Sequence, residues 1–161
     1  MDLPLHNHNH QHCIDDALTL ARTLCRQRGV KLTKQREQVL KLVWQSHKPL
    51  GAYALMEMLA DAITKPVAPP TVYRALEFLS EQGLIHKIHS LNAFVGCATP
   101  DQVHHSHFLI CRQCNIAVEC GSDNLINSID KIANQSGFSV DQQSLEVMGL
   151  CSDCQAPRSA I

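Results

Sequence analysis

The stretch "TVYRALEFLSEQGLIHKIHSLNAFVGC", residues 71–97, decides the predicted fold. Its first half spaces apolar residues at i, i+3, i+4 and i+7, the pattern of one helix face: Val72, Ala75, Leu76 and Leu79. Pro70 suits the start of this helix and Gly83 suits its end. The side chains off that stripe are either solvated or available to an outside molecule: Thr71, Tyr73, Arg74 and Glu77.

The second half of the stretch predicts a β-hairpin. Two short apolar runs, Leu84–Ile88 and Ala93–Val95, flank a polar segment at residues 90–92. Upstream, helices are predicted at residues 14–28, after Thr33 as a cap, and at residues 51–63. Several helices followed by a hairpin is the order of a winged helix-turn-helix, in which the last helix enters the major groove of DNA.

The segment after the hairpin predicts a hinge and a second small domain. Its apolar runs and one helical pattern follow a β-β-α-β order, so the fold class is α+β: an N-terminal winged helix-turn-helix domain plus a small C-terminal α/β dimerisation domain. The predicted divisions are a flexible His-rich tail at 1–12, the winged-helix domain at 13–96, a hinge at 97–103, the dimerisation and metal-binding domain at 104–155, and a tail at 156–161.

Composition limits the class of protein. The chain has 161 residues, and no apolar run approaches the roughly 20 residues of a membrane helix. Residues 1–13 have neither a basic start nor an apolar stretch, so no signal peptide is predicted and a cytoplasmic location is expected. The net charge is −1, yet residues 22–48 hold eight Lys or Arg against a single acid, Glu37. This asymmetry is compatible with nucleic-acid binding or with a solvated helix face.

The eight cysteines predict a metal site. In a reducing compartment they are thiols or metal ligands, not disulfides. Cys111-x-x-Cys114 and Cys151-x-x-Cys154 have the spacing of a four-cysteine zinc site, and four thiolates leave no open position for catalysis. A redox role is the alternative, but it needs only one such pair at a helix start, and both pairs here are predicted near strand ends.

A second group of possible ligands lies on both sides of the hinge. It comprises His86, His89, Cys97, His104, His105, His107 and Glu119. Mixed nitrogen, oxygen and sulfur ligands suit zinc. A metal held from both sides of the hinge would couple metal occupancy to conformation, as a sensor requires.

Several motifs together resemble the ferric uptake regulator family and, within it, the zinc uptake regulators. They are "GVKLTKQREQVL", "PPTVYRALEFLSEQGLIHKI", "FVGC", "HFLICRQCNIAVEC" and "GLCSDC", and the resemblance spans about residues 14 to 154. It implies a structural zinc at Cys111, Cys114, Cys151 and Cys154, and a regulatory zinc at His86, Cys97, His104 and Glu119. His105 and His107 are possible extra or competing ligands.

The same resemblance implies a function and its partners. Tyr73 and Arg74 would contact DNA, with Thr71, Lys34 and Arg36 as further DNA-binding candidates. The protein would be a homodimer that binds a palindromic operator on double-stranded DNA. It would repress zinc-uptake genes with zinc as co-repressor, two zinc ions per chain and no enzymatic activity.

Three alternatives remain open from the sequence. A relative could respond to iron, manganese, nickel or peroxide, although the soft Cys97 thiolate favours zinc. A zinc hydrolase would use the hinge ligands with an open coordination position, but no catalytic motif is readable. A metal-buffering protein built on the His tail and the cysteines would leave the outward-facing Tyr73 and Arg74 unexplained.

Overall fold

The computed structural model describes residues 10–46, 48–102, 106–141 and 143–155. The chain divides into two compact units, an N-terminal unit that ends at Gln102 and a C-terminal unit formed by the residues after it. The boundary falls within the predicted hinge at 97–103. Among the described residues, no helix has both the length and the apolar character needed to cross a membrane.

The described part of the N-terminal unit is mainly helical. In chain order it contains α1 (His10–Gln27), α2 (Lys34–Val43), β1 (Leu50–Gly51), α3 (Ala52–Ile63), α4 (Pro69–Glu81), β2 (Ile85–Ile88) and β3 (Ala93–Gly96). The strands form a sheet in the order β1-β3-β2 with antiparallel pairing. This confirms the predicted helices, the hairpin and the winged-helix order.

Local signals set the ends of these helices. The Thr33 hydroxyl accepts a hydrogen bond from the Arg36 amide and caps α2, as predicted. Gly29 and Gly83 follow α1 and α4 with φ of 67°, a left-handed conformation that glycine adopts without steric cost. The amide of Leu84 then bonds back to the Leu79 carbonyl at 2.9 Å, which closes the end of α4.

Two features of the N-terminal unit differ from the prediction. The helix α1 begins at His10, so residues 10–12 of the predicted flexible tail are helical. Gln11 Nε2 donates to Asp15 Oδ1 at 3.0 Å, a contact one turn along the helix that supports this extension. The strand β1 was not predicted, since its two residues carry no periodic signal and depend on pairing with Phe94 and Ala93.

The core of the N-terminal unit is aliphatic and centred on α4. Its predicted stripe is buried, and it packs with buried residues of α2 and α3: Val39, Leu40, Val43, Leu55 and Leu59. The hairpin adds Ile85 and Phe94 to the same core. The helix α4 is therefore held from one side, which leaves its other face at the surface.

The C-terminal unit is a small sheet with one long helix among its described residues. It contains β4 (Ser106–Cys111), β5 (Ala117–Glu119), α5 (Asp123–Gln135), β6 (Ser144–Gly149) and the short α6 (Ser152–Gln155). The strand order is β5-β4-β6, with β4 antiparallel to β5 and parallel to β6. The predicted β-β-α-β order is confirmed, and α6 is an addition.

The helix α5 is incompletely covered within its own unit. The sequence shows isoleucines every three residues along it, but Ile126 and Ile129 are only half-buried and Ile132 is 64% exposed. Ala133 is the buried residue of this helix. A thin core of this kind gains stability from metal or from a second copy of the chain.

Candidate metal centres and DNA-binding helix

The two Cys-x-x-Cys pairs meet at one end of the C-terminal sheet. Parallel pairing of β4 with β6 sets Cys111 opposite Gly149, so the two strands end side by side. A tight turn after Cys111, closed by the Asn115 amide at 2.8 Å from the Cys111 carbonyl, brings Cys114 back. The second pair bends in the same way, since the Cys154 amide donates to the Cys151 carbonyl at 3.0 Å.

The four sulfur atoms have the spacing of a tetrahedral metal site. All four lie within 4.8 Å of one another, and the sulfurs of Cys114 and Cys151 are 3.7 Å apart. A zinc–sulfur bond of roughly 2.3 Å gives a tetrahedron edge of about 3.8 Å, so the donor set fits zinc. A disulfide would bring two sulfurs to about 2.05 Å, and these cysteines are free thiols.

The charge states of these thiols are set by their neighbours. Hydrogen bonds from the backbone amides of Cys151 and Cys114 stabilise the thiolate and lower the pKa of Cys111 to about 6. The pKa of Cys154 is raised to about 12, first because its thiol hydrogen-bonds to Cys151 and second because burial disfavours its charge. The cluster therefore offers a thiolate at Cys111, and a bound cation would favour ionisation of Cys154.

Both pairs lie at strand ends, since Cys111 is the last residue of β4 and Cys151 follows β6 by two residues. Cys151 also directly precedes α6, so the second pair stands at a helix start as well. This helix has only four residues, and its thiols share a single cluster with the other pair. Four convergent sulfurs suit a closed metal site better than a two-thiol redox centre.

Two predicted regulatory ligands lie close together in the N-terminal unit. His86 is on β2, and Cys97 directly follows β3, the strand that pairs with β2. A ring nitrogen of His86 and the sulfur of Cys97 lie within 4.8 Å, and Cys97 is buried. An imidazole and a thiolate are donors that suit a borderline metal such as zinc.

The other predicted regulatory residues belong to the C-terminal unit. Glu119 is half-buried on β5, opposite Phe108 of β4. His104 and His105 lie outside the described residues. The buried side chain of His107 lines an apolar groove beside α5, together with residues such as Ile129 and Phe138.

The outward face of α4 carries the predicted DNA contacts. Tyr73 is 48% exposed, Arg74 is exposed and Thr71 is half-buried. Lys34 is exposed at the first residue of α2. A cleft of about 260 Å³ lies between the starts of these helices, lined by Thr33, Gln35, Arg36, Thr71, Arg74 and Ala75. Helix N-termini and arginines both attract phosphate, so the cleft suits a DNA backbone.

The structure gives Arg36 contacts that the sequence does not reveal. Its guanidinium donates to the Lys31 carbonyl at 2.6 Å and lies 3.6 Å from the centre of the Phe78 ring. Gln35, which was not among the residues predicted from the sequence, lines the cleft beside it. The only sequence signal for Gln35 is its position within the first turn of α2.

The C-terminal unit exposes a large apolar surface. A groove of about 570 Å³ runs beside α5 and β6, and its lining includes Ile132, Val140 and Leu145. Phe138, which lines the groove, is exposed, and so are Val147 and Met148 of β6. The strand β6 is also an edge of the described sheet. An exposed edge beside apolar side chains is a surface typical of protein association.

Known proteins are similar to this chain in sequence and in fold. The ferric uptake regulator family matches residues 27–148. The zinc uptake regulation protein of Escherichia coli (strain K12) is 39% identical over 141 residues, covering 86% of this chain and 81% of that protein. That of Mycobacterium tuberculosis is 28% identical over 134 residues, covering 80% and 97%.

Solved structures agree with these relatives. A zinc uptake regulator complexed with zinc and DNA is 37% identical, with a TM-score of 0.83 over 88% of this chain and 94% of that one. The crystal structure of holo XcZur is 40% identical, with a TM-score of 0.77 over 87% and 97%. With its winged-helix unit and four-cysteine cluster, this chain belongs to the ferric uptake regulator family.

Proposed function

We propose that this protein is a zinc-responsive, DNA-binding transcriptional repressor of zinc-uptake genes, with zinc as co-repressor and no enzymatic activity. The observation that carries the proposal is its 37% identity to a zinc uptake regulator complexed with zinc and DNA, along nearly all of both chains. The exposed α4 face and the thiol-containing ligand sets support it.

The proposal assigns two zinc ions to each chain. The first is structural and is held by Cys111, Cys114, Cys151 and Cys154, whose sulfur spacing fits a closed tetrahedral site. Zinc at that position would stabilise the thin C-terminal unit by linking the ends of β4 and β6.

The second zinc is regulatory and is bound by His86, Cys97, His104 and Glu119. The proximity of His86 and Cys97 supports this assignment. His105 and His107 are the alternatives to His104. A ligand set drawn from both units would make their arrangement depend on zinc. A shift from 1:99 to 99:1 in favour of the binding-competent state requires about 5.5 kcal/mol of differential zinc binding.

The DNA-binding role falls to α4 and the start of α2. Tyr73 and Arg74 would contact base edges, while Thr71, Lys34 and Arg36 would contact phosphates and fix the position of the helix.

A homodimer would present two copies of α4 to a palindromic operator, whose half-site spacing would match the dimer. The exposed apolar surface of α5 and β6 supports dimerisation through the C-terminal unit. A reducing, cytoplasmic location is part of the proposal, because metal binding by the four-cysteine cluster requires reduced thiols.

The decisive experiment combines metal analysis with DNA binding. Zinc bound per chain and affinity for a duplex selected by the zinc-loaded protein are measured across one zinc titration. We expect the second zinc equivalent to switch on DNA binding, and iron(II) or manganese(II) to do so only at much higher concentration. Switching by iron(II) at lower concentration than by zinc would favour the alternative of an iron regulator.

A variant tests the regulatory site itself. Cys97→Ser replaces a soft ligand by a hard one, so the zinc concentration needed for DNA binding should rise. Cys13→Ser on α1 removes a thiol outside both ligand sets and serves as the matched control. An unchanged zinc requirement in Cys97→Ser would remove Cys97 from the regulatory site.

A further inference from the structure

Residues 96–100 lead out of the hairpin. Contacts on both sides of Cys97 hold this segment to the helices of the N-terminal unit. We propose that Arg28 and Trp44 are positioning residues that hold Cys97 against the end of α4. Zinc binding at Cys97 would then act directly on the position of that helix. The proposal deepens the proposed function and rests on it, because it takes Cys97 to be a regulatory ligand.

Trp44 restrains the segment just before Cys97. It caps the C-terminal end of α2, and its amide donates to the Leu40 carbonyl at 3.1 Å. Its half-buried indole lies against the backbone of Gly96, so closely that a Cβ at this position would overlap three atoms of the ring. The pair Trp44 and Gly96 therefore fixes how near the last residue of β3 lies to α2.

Arg28 restrains the segment just after Cys97. One nitrogen of its guanidinium donates to the Gln82 carbonyl at 2.5 Å and another donates to the Pro100 carbonyl at 3.1 Å. Gln82 caps the C-terminal end of α4, and Pro100 is buried. A planar guanidinium can donate to two carbonyls at once in a fixed geometry, which a lysine ammonium cannot reproduce.

Cys97 itself is bonded to the same region. Its amide donates to the Leu84 carbonyl at 3.1 Å, which extends the hairpin pairing one residue past β3. Leu84 is buried and follows Gly83 at the end of α4. Gln82 and Leu84, two residues apart, thus anchor both Pro100 and Cys97. A displacement of Cys97 would be transmitted to the end of α4 over a short, hydrogen-bonded path.

Two simpler roles compete with positioning. Arg28 could serve only stability, or it could contact a DNA phosphate like other exposed basic residues of this region. Neither role would change zinc binding at Cys97, whereas loss of a residue that orients a metal ligand lowers metal affinity by roughly 10- to 100-fold. A measurement of zinc affinity therefore distinguishes a positioning role of Arg28 from a purely stabilising role and from a phosphate contact.

The first test compares Arg28→Lys with Arg26→Lys. Both substitutions keep the charge, and Arg26 is an exposed arginine two residues earlier on α1. Zinc affinity of the second equivalent is measured by chelator competition, with thermal unfolding recorded in parallel. We expect about tenfold weaker zinc binding for Arg28→Lys and no change for Arg26→Lys. A lower melting temperature with unchanged zinc affinity would overturn the proposal, as would an equal loss in both variants.

The second test uses the contact between Trp44 and Gly96. Gly96→Ala should weaken the second zinc equivalent, because the new methyl group displaces the segment that carries Cys97. Trp44→Ala combined with Gly96→Ala should recover part of that affinity, since the smaller side chain leaves room for the methyl group. No recovery in a double variant that folds normally would contradict a direct role for this contact.

Two further readouts separate this proposal from the proposed function. Trp44 is the only tryptophan in the chain, so its emission should change when the second equivalent of zinc binds. If Cys97→Ser leaves zinc affinity unchanged, the regulatory site itself is wrong. If Cys97→Ser weakens zinc binding while Arg28→Lys and the Trp44 variants do not, the site stands and the positioning role is wrong.

Discussion

The guanidinium of Arg36 on α2 lies 3.6 Å from the centre of the Phe78 ring on α4. Its bond to the Lys31 carbonyl holds the same group from the side of α2. We expect Arg36→Ala to lower the free energy of unfolding by about 1–2 kcal/mol, since a stacked cation and a carbonyl bond each contribute up to about 1 kcal/mol. Urea unfolding of the zinc-loaded protein measures this loss.

The salt dependence of DNA binding decides whether Arg36 also contacts a phosphate. Removing one phosphate contact lowers the slope of log affinity against log salt by about 1. We expect that change for Lys34→Ala, whose side chain is exposed at the start of α2. Arg36→Ala should lower the slope by about 1 as well, in addition to its loss of stability. An unchanged slope in Arg36→Ala would limit Arg36 to its structural contacts with Lys31 and Phe78.

Arg74→Ala tests base recognition by α4. Arg74 is exposed on the face opposite the buried stripe, at the edge of the cleft between α2 and α4. A lost base contact should cost about 1–3 kcal/mol of affinity and relax specificity at one base position. Binding is measured on the selected duplex and on single-base variants. Glu81→Ala, exposed in the last turn of α4, is the control and should keep the sequence preference.

The features that the sequence predicted are those with local signals. The roles of Thr33, Gly83 and the apolar stripe of α4 can be predicted from the few residues around each of them. A Cys-x-x-Cys pair indicates its ligand geometry by its spacing alone. The environment of Arg36 depends on Phe78, and β1 depends on pairing with β3, so both need the tertiary fold. No periodicity marks such pairs, because the partners are far apart along the chain.

Ile132→Glu tests dimerisation through the C-terminal unit. Ile132 is 64% exposed on α5 and lines the apolar groove, so a charge there would have to be desolvated in a dimer interface. We expect the dimer dissociation constant, from sedimentation equilibrium, to rise at least tenfold. Asn134→Glu introduces the same change of charge at another exposed position of α5 and should leave the constant nearly unchanged. Equal effects of the two variants would place the interface elsewhere.

Cys114→Ser tests the structural zinc. Loss of one thiolate opens the tetrahedron, and the C-terminal unit should lose its zinc and much of its stability, because metal binding contributes directly to folding of small units. Zinc content should fall by one ion per chain, and proteolysis should cut the C-terminal unit first. Cys120→Ser removes a thiol outside the four-cysteine cluster and should retain that ion. Full zinc content in Cys114→Ser would contradict four-sulfur ligation.

Acid should release the structural zinc, and the direction follows from the thiol pKa values. In the metal-free cluster the pKa of Cys111 is lowered to about 6, whereas the pKa of Cys114 is raised and that of Cys154 is raised to about 12. At neutral pH Cys111 is therefore ionised, and Cys114 and Cys154 are protonated. Binding to all four sulfurs therefore expels protons, and each proton expelled raises the apparent affinity about tenfold per pH unit. Between pH 6.5 and 8 the affinity should rise more than tenfold per unit. Chelator competition with the Cys97→Ser variant isolates this site, and a slope of one decade per unit or less would mean that fewer thiols bind the metal.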